Sequence, residues 1–364
     1  LSPEVTTGLY APDAGTVNPW ELGIAAAENA VGNGAAFHFN TTVDRIEKTD
    51  GGYTISAGGR TFFAGGVINC AGLYAGDVHD MISEPSVRVF PDAGDYYILD
   101  TKTSGMIHHV IFHEPEEKGK GLTLVPTVDG NILLGPSRVA AGDRNDAFPT
   151  SAEGLEWLRE LAGAVIPALP LSHIIRSFAT LRPNPFYVRR SPDTGDYIRE
   201  DKSISDFMLH ESESEPKFLS FIGVKTPGLT CSNELGLYAA GRMAALLGAA
   251  ENDGFHPVNP APLRLNALSF EERAGIVRQN PAYGNIVCRC RRISEGEIVD
   301  SIHRNPGAVT LDGVKRRTGA GSGRCQGGFC AQRIIEILAR ELGISPDRVN
   351  KGAPGSYMIG GDGT

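Results

Sequence analysis

The sequence predicts a mixed α/β (α+β) body followed by a separate small cysteine-rich domain, and three observations carry that expectation. Short alternating or apolar strand segments are interleaved with capped helical ones through residues 1–250. Four of the six cysteines lie beyond residue 287. Charge divides at the same place: residues 285–364 carry 12 Lys or Arg against 8 Asp or Glu, so a +4 end sits on a −13 body within a chain of net −9. With 41% hydrophobic and 21% charged residues, the composition is that of a soluble globular protein. No apolar run approaches the roughly 18–20 residues needed to span a bilayer, and no basic-then-apolar leader follows Leu1. The basic residues cluster around cysteines without interleaved aromatics, which gives no support to nucleic-acid binding.

The elements follow in order. Asn18-Pro19-Trp20-Glu21 supplies an N-cap, a proline at the first helical position and the glutamate of a capping box, and the helix then stops at Gly32-Asn33-Gly34. AFHF (36–39), VDRIEK (43–48), YTIS (53–56) and TFFA (61–64) read as strands. Gly66-Val-Ile-Asn-Cys-Ala-Gly72 reads as a buried strand running into a small-residue turn, where the backbone can approach a cofactor. Tight strand-to-helix packing explains the same small residues. MIHHVIFHEP (106–115) reads as a strand with His109, Ile111 and His113 on one face. Phe218–Gly223 is a further strand, and the turn Gly223-Val-Lys-Thr-Pro-Gly-Leu-Thr230 leads into a helix over about 232–247. That turn would offer N–H groups and a positive helix end to something electron-rich. Four prolines between Glu251 and Asn285 mark a linker without a long helix, and the glycine-rich tail from Gly352 is expected to fray.

Cys288-x-Cys290 and Cys325-x4-Cys330 form a metal-binding layout. The first two are too close for a comfortable disulfide, yet both sulfurs can turn towards one metal. Gly327 and Gly328 let the second segment wrap an inorganic core and aim N–H groups at sulfur. Four thiolates suit tetrahedral zinc or an iron-sulfur cluster. Arg289, Arg291, Arg292 and Arg324 crowd the ligands, as suits a net-negative cluster; a solvated basic face is the competing reading. A thiolate site, with only Cys70 and Cys231 left over in apolar or glycine-rich stretches, points to a reducing cytoplasm.

VCRCRRISEGEIVDSI and TLDGVKRRTGAGSGRCQGGFCAQRIIEIL closely resemble the 2Fe-2S domain of the bacterioferritin-associated-ferredoxin type, which is appended to anaerobic glycerol-3-phosphate dehydrogenases and related flavoproteins. Stand-alone members have two residues between the last two cysteines; the four seen here match the appended branch. APDAGTVNPWEL, INCAG and GVKTPGLT resemble the D-amino-acid-oxidase-like superfamily of FAD enzymes. YYILD and GKGLTLVPTVDGNILLGPS resemble its substrate-domain sheet in glycerol-3-phosphate dehydrogenase-like members. The resemblance covers about residues 1–345. It implies a partial FAD-binding domain with a mixed or antiparallel substrate-domain sheet over 1–250, a linker over 251–284, a small helical 2Fe-2S domain over 285–345 and a tail over 346–364.

The superfamily's opening G-x-G-x-x-G is absent from this sequence. The chain therefore reads as the C-terminal part of a longer flavoenzyme, expected to be inactive and to hold FAD poorly by itself. The resemblance implies flavin contacts from Asn69, Ala71, Gly72, Gly223, Val224, Thr226, Pro227, Gly228, Leu229 and Thr230, and cluster ligation by Cys288, Cys290, Cys325 and Cys330. It places Arg182, in TLRPNPF, over the flavin as the anchor for a substrate carboxylate or phosphate, against a surface ion pair. Lys225 matches a lysine kept beside the flavin, against a solvent-facing one; His109 is the candidate general base, against a structural histidine. The implied activity is oxidation of glycerol 3-phosphate or a similar small anionic alcohol. Electrons then pass through the cluster to a redox partner or membrane-associated subunit, which would make the protein peripheral to the membrane. L-2-hydroxyglutarate-type or opine-type oxidation competes within the enzyme class, and a non-catalytic zinc or iron-sulfur module competes outside it.

Overall fold

The computed structural model describes residues 1–114, 121–140, 148–211 and 214–360. Asn18 caps the helix Pro19–Gly32 by accepting from the Trp20 and Glu21 amides at 3.1 and 3.3 Å. The expected capping box is not completed. Glu21 turns outward to pair with Arg264, which draws the 251–284 segment onto this helix. Val43–Thr49, Gly52–Ala57 and Arg60–Ala64 then form a three-stranded antiparallel meander. AFHF is not a strand: Phe37 and Phe39 stack on each other, with centroids 5.8 Å apart, in irregular chain.

The centre of the body is an antiparallel sheet pivoting on Asp92–Leu99. Ile174–Arg182 pairs along one edge of that strand. Ile132–Gly135 and Val139–Ala140 pair along the other, with Thr123–Pro126 and Ile111–Phe112 beyond them. The helix Ala152–Val165, which the sequence reading missed, covers this sheet. Its signal is a Ser151 N-cap followed by apolar residues at 155, 158, 161, 162 and 165. Leu158 and Ala162 are fully buried against Leu99, Leu124 and Leu134, and each such leucine contributes about 1.5–3 kcal/mol of burial. The fully buried Asp95 fastens helix to sheet, accepting from the Ser137 and Ser151 hydroxyls at 2.9 and 2.7 Å.

Two short strands create the functional geometry. Val67–Asn69 runs parallel to Phe218–Ile222, in the register Val67 to Phe218 and Asn69 to Ser220. Their carboxyl ends therefore lie side by side, and the loops that follow leave at the same end of the sheet. The helix Gly228–Leu247 returns from that end and closes on Gly248 in the left-handed conformation.

Residues 288–349 bury a hydrophobic cluster of their own, in which Ile298, Val314, Ile337 and Leu338 are fully enclosed. Three helices make it: Glu295–His303, opened by a complete Ser294/Glu297 capping box, then Leu311–Thr318 and Ala331–Leu342. The 251–284 segment holds one ten-residue helix, Phe270–Gln279, set between Pro262 and Pro281. The tail is tied back by an Asn350–Tyr357 bridge before residue 360; its last four residues lie outside the described ones, as do Gly119 and Lys120 of the GKGLTL segment. Among the described residues no helix is long and apolar enough to cross a membrane.

Candidate functional site

The four late cysteines are gathered at one end of the helical module, and they fall into two pairs. Cys290 and Cys325 have sulfurs 3.6 Å apart, and Cys288 is in hydrogen-bonding contact with Cys330. Each pair joins the early motif to the late one, and the Cys288 charge is felt at Cys290, Cys325 and Cys330 alike. Four thiolates on one zinc, each about 2.3 Å from it, would converge on a point. Among the described residues no three His, Cys, Asp or Glu side chains do so. Four neighbouring thiols joined in two pairs suit a binuclear cluster.

Backbone groups complete the cradle. Amides of Gly321 and Arg291 donate to Cys288, and those of Phe329 and Gly327 donate to Cys325. Gly321 and Gly327 hold φ of +85° and +91°, and a Cβ on Gly323 would lie 2.5 Å from that of Cys290. In each pair one thiol is poised to ionise. The Cys330 hydrogen bond brings Cys288 down to about 6 while Cys330 is pushed up. Burial opposes ionisation of Cys325, but the Phe329 amide and the Cys290 contact outweigh it, and Cys290 is raised. Thiolate is the form that ligates metal, so the donor set suits the cluster.

Two of the four neighbouring arginines act on the thiols, Arg291 on Cys288 and Arg324 on Cys290, and also reach the sheet. Arg291 pairs with Asp129 and donates to its carbonyl at 3.1 Å, and Arg324 pairs with the buried Asp100. Both carboxylates lie at one end of the central sheet, Asp100 just past Asp92–Leu99 and Asp129 in the turn between Thr123–Pro126 and Ile132–Gly135. Arg289 and Arg292 remain exposed. On the module's other side Arg304 grips the buried Glu28 of the first helix, Nε to Oε1 at 2.7 Å.

The second candidate centre is the end of the parallel strand pair. Asn69, Gly223 and Gly228 are buried there, while Ala71, Gly72, Thr226, Pro227, Leu229 and Thr230 are exposed around them. Asn69 is committed to the scaffold: it donates to the Ala75 carbonyl at 2.8 Å and the Ser220 hydroxyl at 3.1 Å, and accepts from the Ala71 amide. Gly223, at φ +70°, is packed so tightly on Pro185 that a Cβ would fall 2.4 Å from the ring. Val224 packs under the following helix. Through Pro185 the Arg182 strand end is brought against the 223–230 loop. Two exposed small-residue loops leaving parallel strands at one end fit the flavin half of a cofactor. Cys70, expected in a buried stretch, is exposed in this turn.

Arg182 ends its strand opposite Asp92, and its guanidinium makes no hydrogen bond or ion pair among the described residues. It lies near Tyr96, whose phenol is pushed up by burial and partly drawn back by the Arg182 charge. Lys225 does not run free into solvent, because its Nζ donates to the Ile204 carbonyl at 3.0 Å. His109 departs from the expected role: the strand is only Ile111–Phe112, and His109 sits exposed in a bend, edge-on to Tyr10 at 5.2 Å. The shared face with His113 does not form.

The sequence reading missed the support beneath these loops. His79 is fully buried, its Nδ1 3.2 Å from the Ser220 hydroxyl that also holds Asn69. Burial, reinforced by neighbouring His210, brings its pKa down to about 4. His79 is therefore neutral and structural, and nothing in GDVHDM announces it.

Residues 1–242 match the family described as FAD dependent oxidoreductase, and residues 286–340 match the BFD-like [2Fe-2S] binding domain. A glycerol 3-phosphate dehydrogenase of Caloramator mitchellensis is 39% identical over 362 residues, which is 99% of this chain and 72% of that protein. The anaerobic glycerol-3-phosphate dehydrogenase subunit A1 of Haloferax volcanii is 25% identical over 94% of this chain and 62% of its own length. Among solved structures, the FAD-bound glycerol-3-phosphate dehydrogenase of Bacillus halodurans superposes with a TM-score of 0.61 at 14% identity, covering 90% of this chain and 69% of that one.

Proposed function

Because this chain belongs to the FAD-dependent oxidoreductase family and carries a BFD-like [2Fe-2S] binding domain, we propose that it serves a dehydrogenase oxidising glycerol 3-phosphate. The observation that carries the substrate is the 39% identity running through both domains to a glycerol 3-phosphate dehydrogenase. When bound, the flavin supplies acceptance of a hydride and the cluster supplies one-electron relay to a partner.

The chain's own residues have these roles in the proposal. Cys288, Cys290, Cys325 and Cys330 hold the cluster, with the Gly321 and Gly327 amides spreading the thiolate charge. Gly72 and the loop 223–230 line the flavin, with Gly223 bringing that loop hard against Pro185. Arg182 binds the substrate's anionic group: an arginine whose guanidinium has no hydrogen bond or ion pair among the described residues is a fork suited to phosphate or carboxylate. Lys225, fixed by Ile204, sets a positive charge beside the loop. His109 sits exposed and off the expected strand, which lends the proposed base role no added support. The boundaries 1–250, 251–284, 285–345 and 346–364 are retained as the proposed domain division, with the second core lying in the third segment apart from Val349 of the fourth.

Arg182 would hold a carboxylate as well as a phosphate, so an L-2-hydroxyglutarate-type substrate is the second reading. Steady-state assays with an artificial one-electron acceptor separate them. The proposal expects kcat/KM for glycerol 3-phosphate to exceed that for L-2-hydroxyglutarate by at least tenfold, and a reversed ratio overturns it.

A further inference from the structure

The arginines that flank the cluster ligands are committed to the other part of the molecule. Arg291 follows Cys290 directly; side-chain exposure of only 10%, an ion pair to Asp129, and bonds to the Asp129 carbonyl at 3.1 Å and Asn131 Oδ1 at 3.4 Å describe a fully engaged fork. Arg324 precedes Cys325 directly and pairs with Asp100, whose side chain is 6% exposed. Gln326, one residue past Cys325, accepts from Arg176 at 3.4 Å. All four sheet-side partners sit at one end of the ribbon formed by Asp92–Leu99 and Ile174–Arg182: Asp100 just past the first strand, Arg176 near the start of the second, Asn131 bonded to the Leu99 carbonyl at 2.7 Å, and Asp129 two residues before Asn131. Arg182 marks the ribbon's opposite end. Six residues at about 3.4 Å each separate Arg176 from Arg182 by roughly 20 Å.

We propose that Arg291 and Arg324 are positioning residues that lock the two ligand loops onto the end of this ribbon and so fix the gap that electrons cross between flavin and cluster. The inference rests on the flavin-to-cluster relay proposed above. When bound, the flavin held by the 223–230 loop would supply two electrons and the cluster held by Cys288, Cys290, Cys325 and Cys330 would take them singly for a one-electron acceptor protein, the flavin's proton going to solvent. Tunnelling falls exponentially with separation, so over a long gap a slack of a few ångström changes the rate by orders of magnitude. The Glu28–Arg304 pair keeps the module attached from its far side; it does not touch the ligand loops. Both arginines also place charge near sulfur, Arg291 on Cys288 and Arg324 beside Cys290, but their ion pairs are made with carboxylates of the sheet.

The test uses the holoprotein with Arg291→Glu/Arg324→Glu, with Arg324→Lys as the conservative partner. Asp129→Lys serves as a sheet-side variant remote from the ligands in sequence. Amide hydrogen exchange over 99–104 and 127–131 is measured on each protein, and flavin-to-cluster transfer is followed after photochemical reduction of the flavin. The expected result is faster exchange in both segments and at least a tenfold slower transfer in the double reversal. Asp129→Lys should show a smaller effect of the same sign and Arg324→Lys near-normal behaviour, with the absorption and EPR spectra of the cluster unchanged in these two variants. Unchanged exchange, or faster exchange with unchanged or faster transfer, overturns the proposal. Flavin reduction by glycerol 3-phosphate is recorded separately. Its failure would count against the substrate reading alone, since neither arm above uses substrate.

Discussion

The cluster end and the flavin end of this molecule are built on different plans. All four thiolates come from 43 residues, the donors that steady them are amides of the same loops, and the helices behind them bury a core of their own. The proposed flavin end draws on Asn69, Arg182 and Gly223, residues more than 40 positions apart in the sequence, and depends on two parallel strands that end in register. A local site survives as a unit; a distributed one depends on every element that holds its strands. Perturbations should therefore separate the two.

The largest separation is expected from Cys288→Ser, which removes a buried ligand. Iron and visible cluster absorption should be lost entirely while far-ultraviolet circular dichroism of the sheet persists. Retention of a normal cluster would show that Cys288 is no ligand.

Acid should act the opposite way. His79 has its folded pKa depressed from 6.5 to about 4 by burial first and His210 second, so the unfolded chain binds more protons between those values. The fold's advantage is thus full above pH 6.5 and lost as pH falls towards 4, by up to about 3 kcal/mol. Urea titrations from pH 7 to 4 should show this slope, and His79→Gln should flatten it. An unaltered slope would place the acid sensitivity elsewhere.

Arg182→Ala should weaken substrate by about 10- to 100-fold, the worth of a charge-assisted contact of roughly 1.5–3 kcal/mol. The loss should fall on KM more than on cluster content. A KM that stays put would return Arg182 to a surface role. The smallest effect is expected from Gly223→Ala. A left-handed residue facing the Pro185 ring should cost about 1–2 kcal/mol and lower flavin occupancy, with the cluster untouched; wild-type flavin affinity would contradict the close-packing argument.

The same contrast explains what could be read from the sequence. Cysteine spacing and its glycines announce the cluster because ligand geometry is a short-range property. The two strand-to-loop segments were also legible, since buried apolar runs ending in small residues are local. What the sequence hid is long-range. Pairing of Cys290 with Cys325 rather than Cys288 depends on how two loops meet. The commitment of Arg291 and Arg324 to Asp129 and Asp100 depends on docking. His109 was misjudged because periodicity suggested a ten-residue strand where only Ile111–Phe112 finds a partner. Strand pairing, not side-chain alternation, decided it.

The central claim is that two redox centres of different construction act in one protein, and anaerobic spectroscopy tests it most directly. Absorption and EPR spectra of the cofactor-bound protein, recorded before and after dithionite, should show flavin bleaching together with a rhombic signal from one reduced two-iron cluster per chain. A colourless protein carrying zinc, with neither change on reduction, would contradict the account.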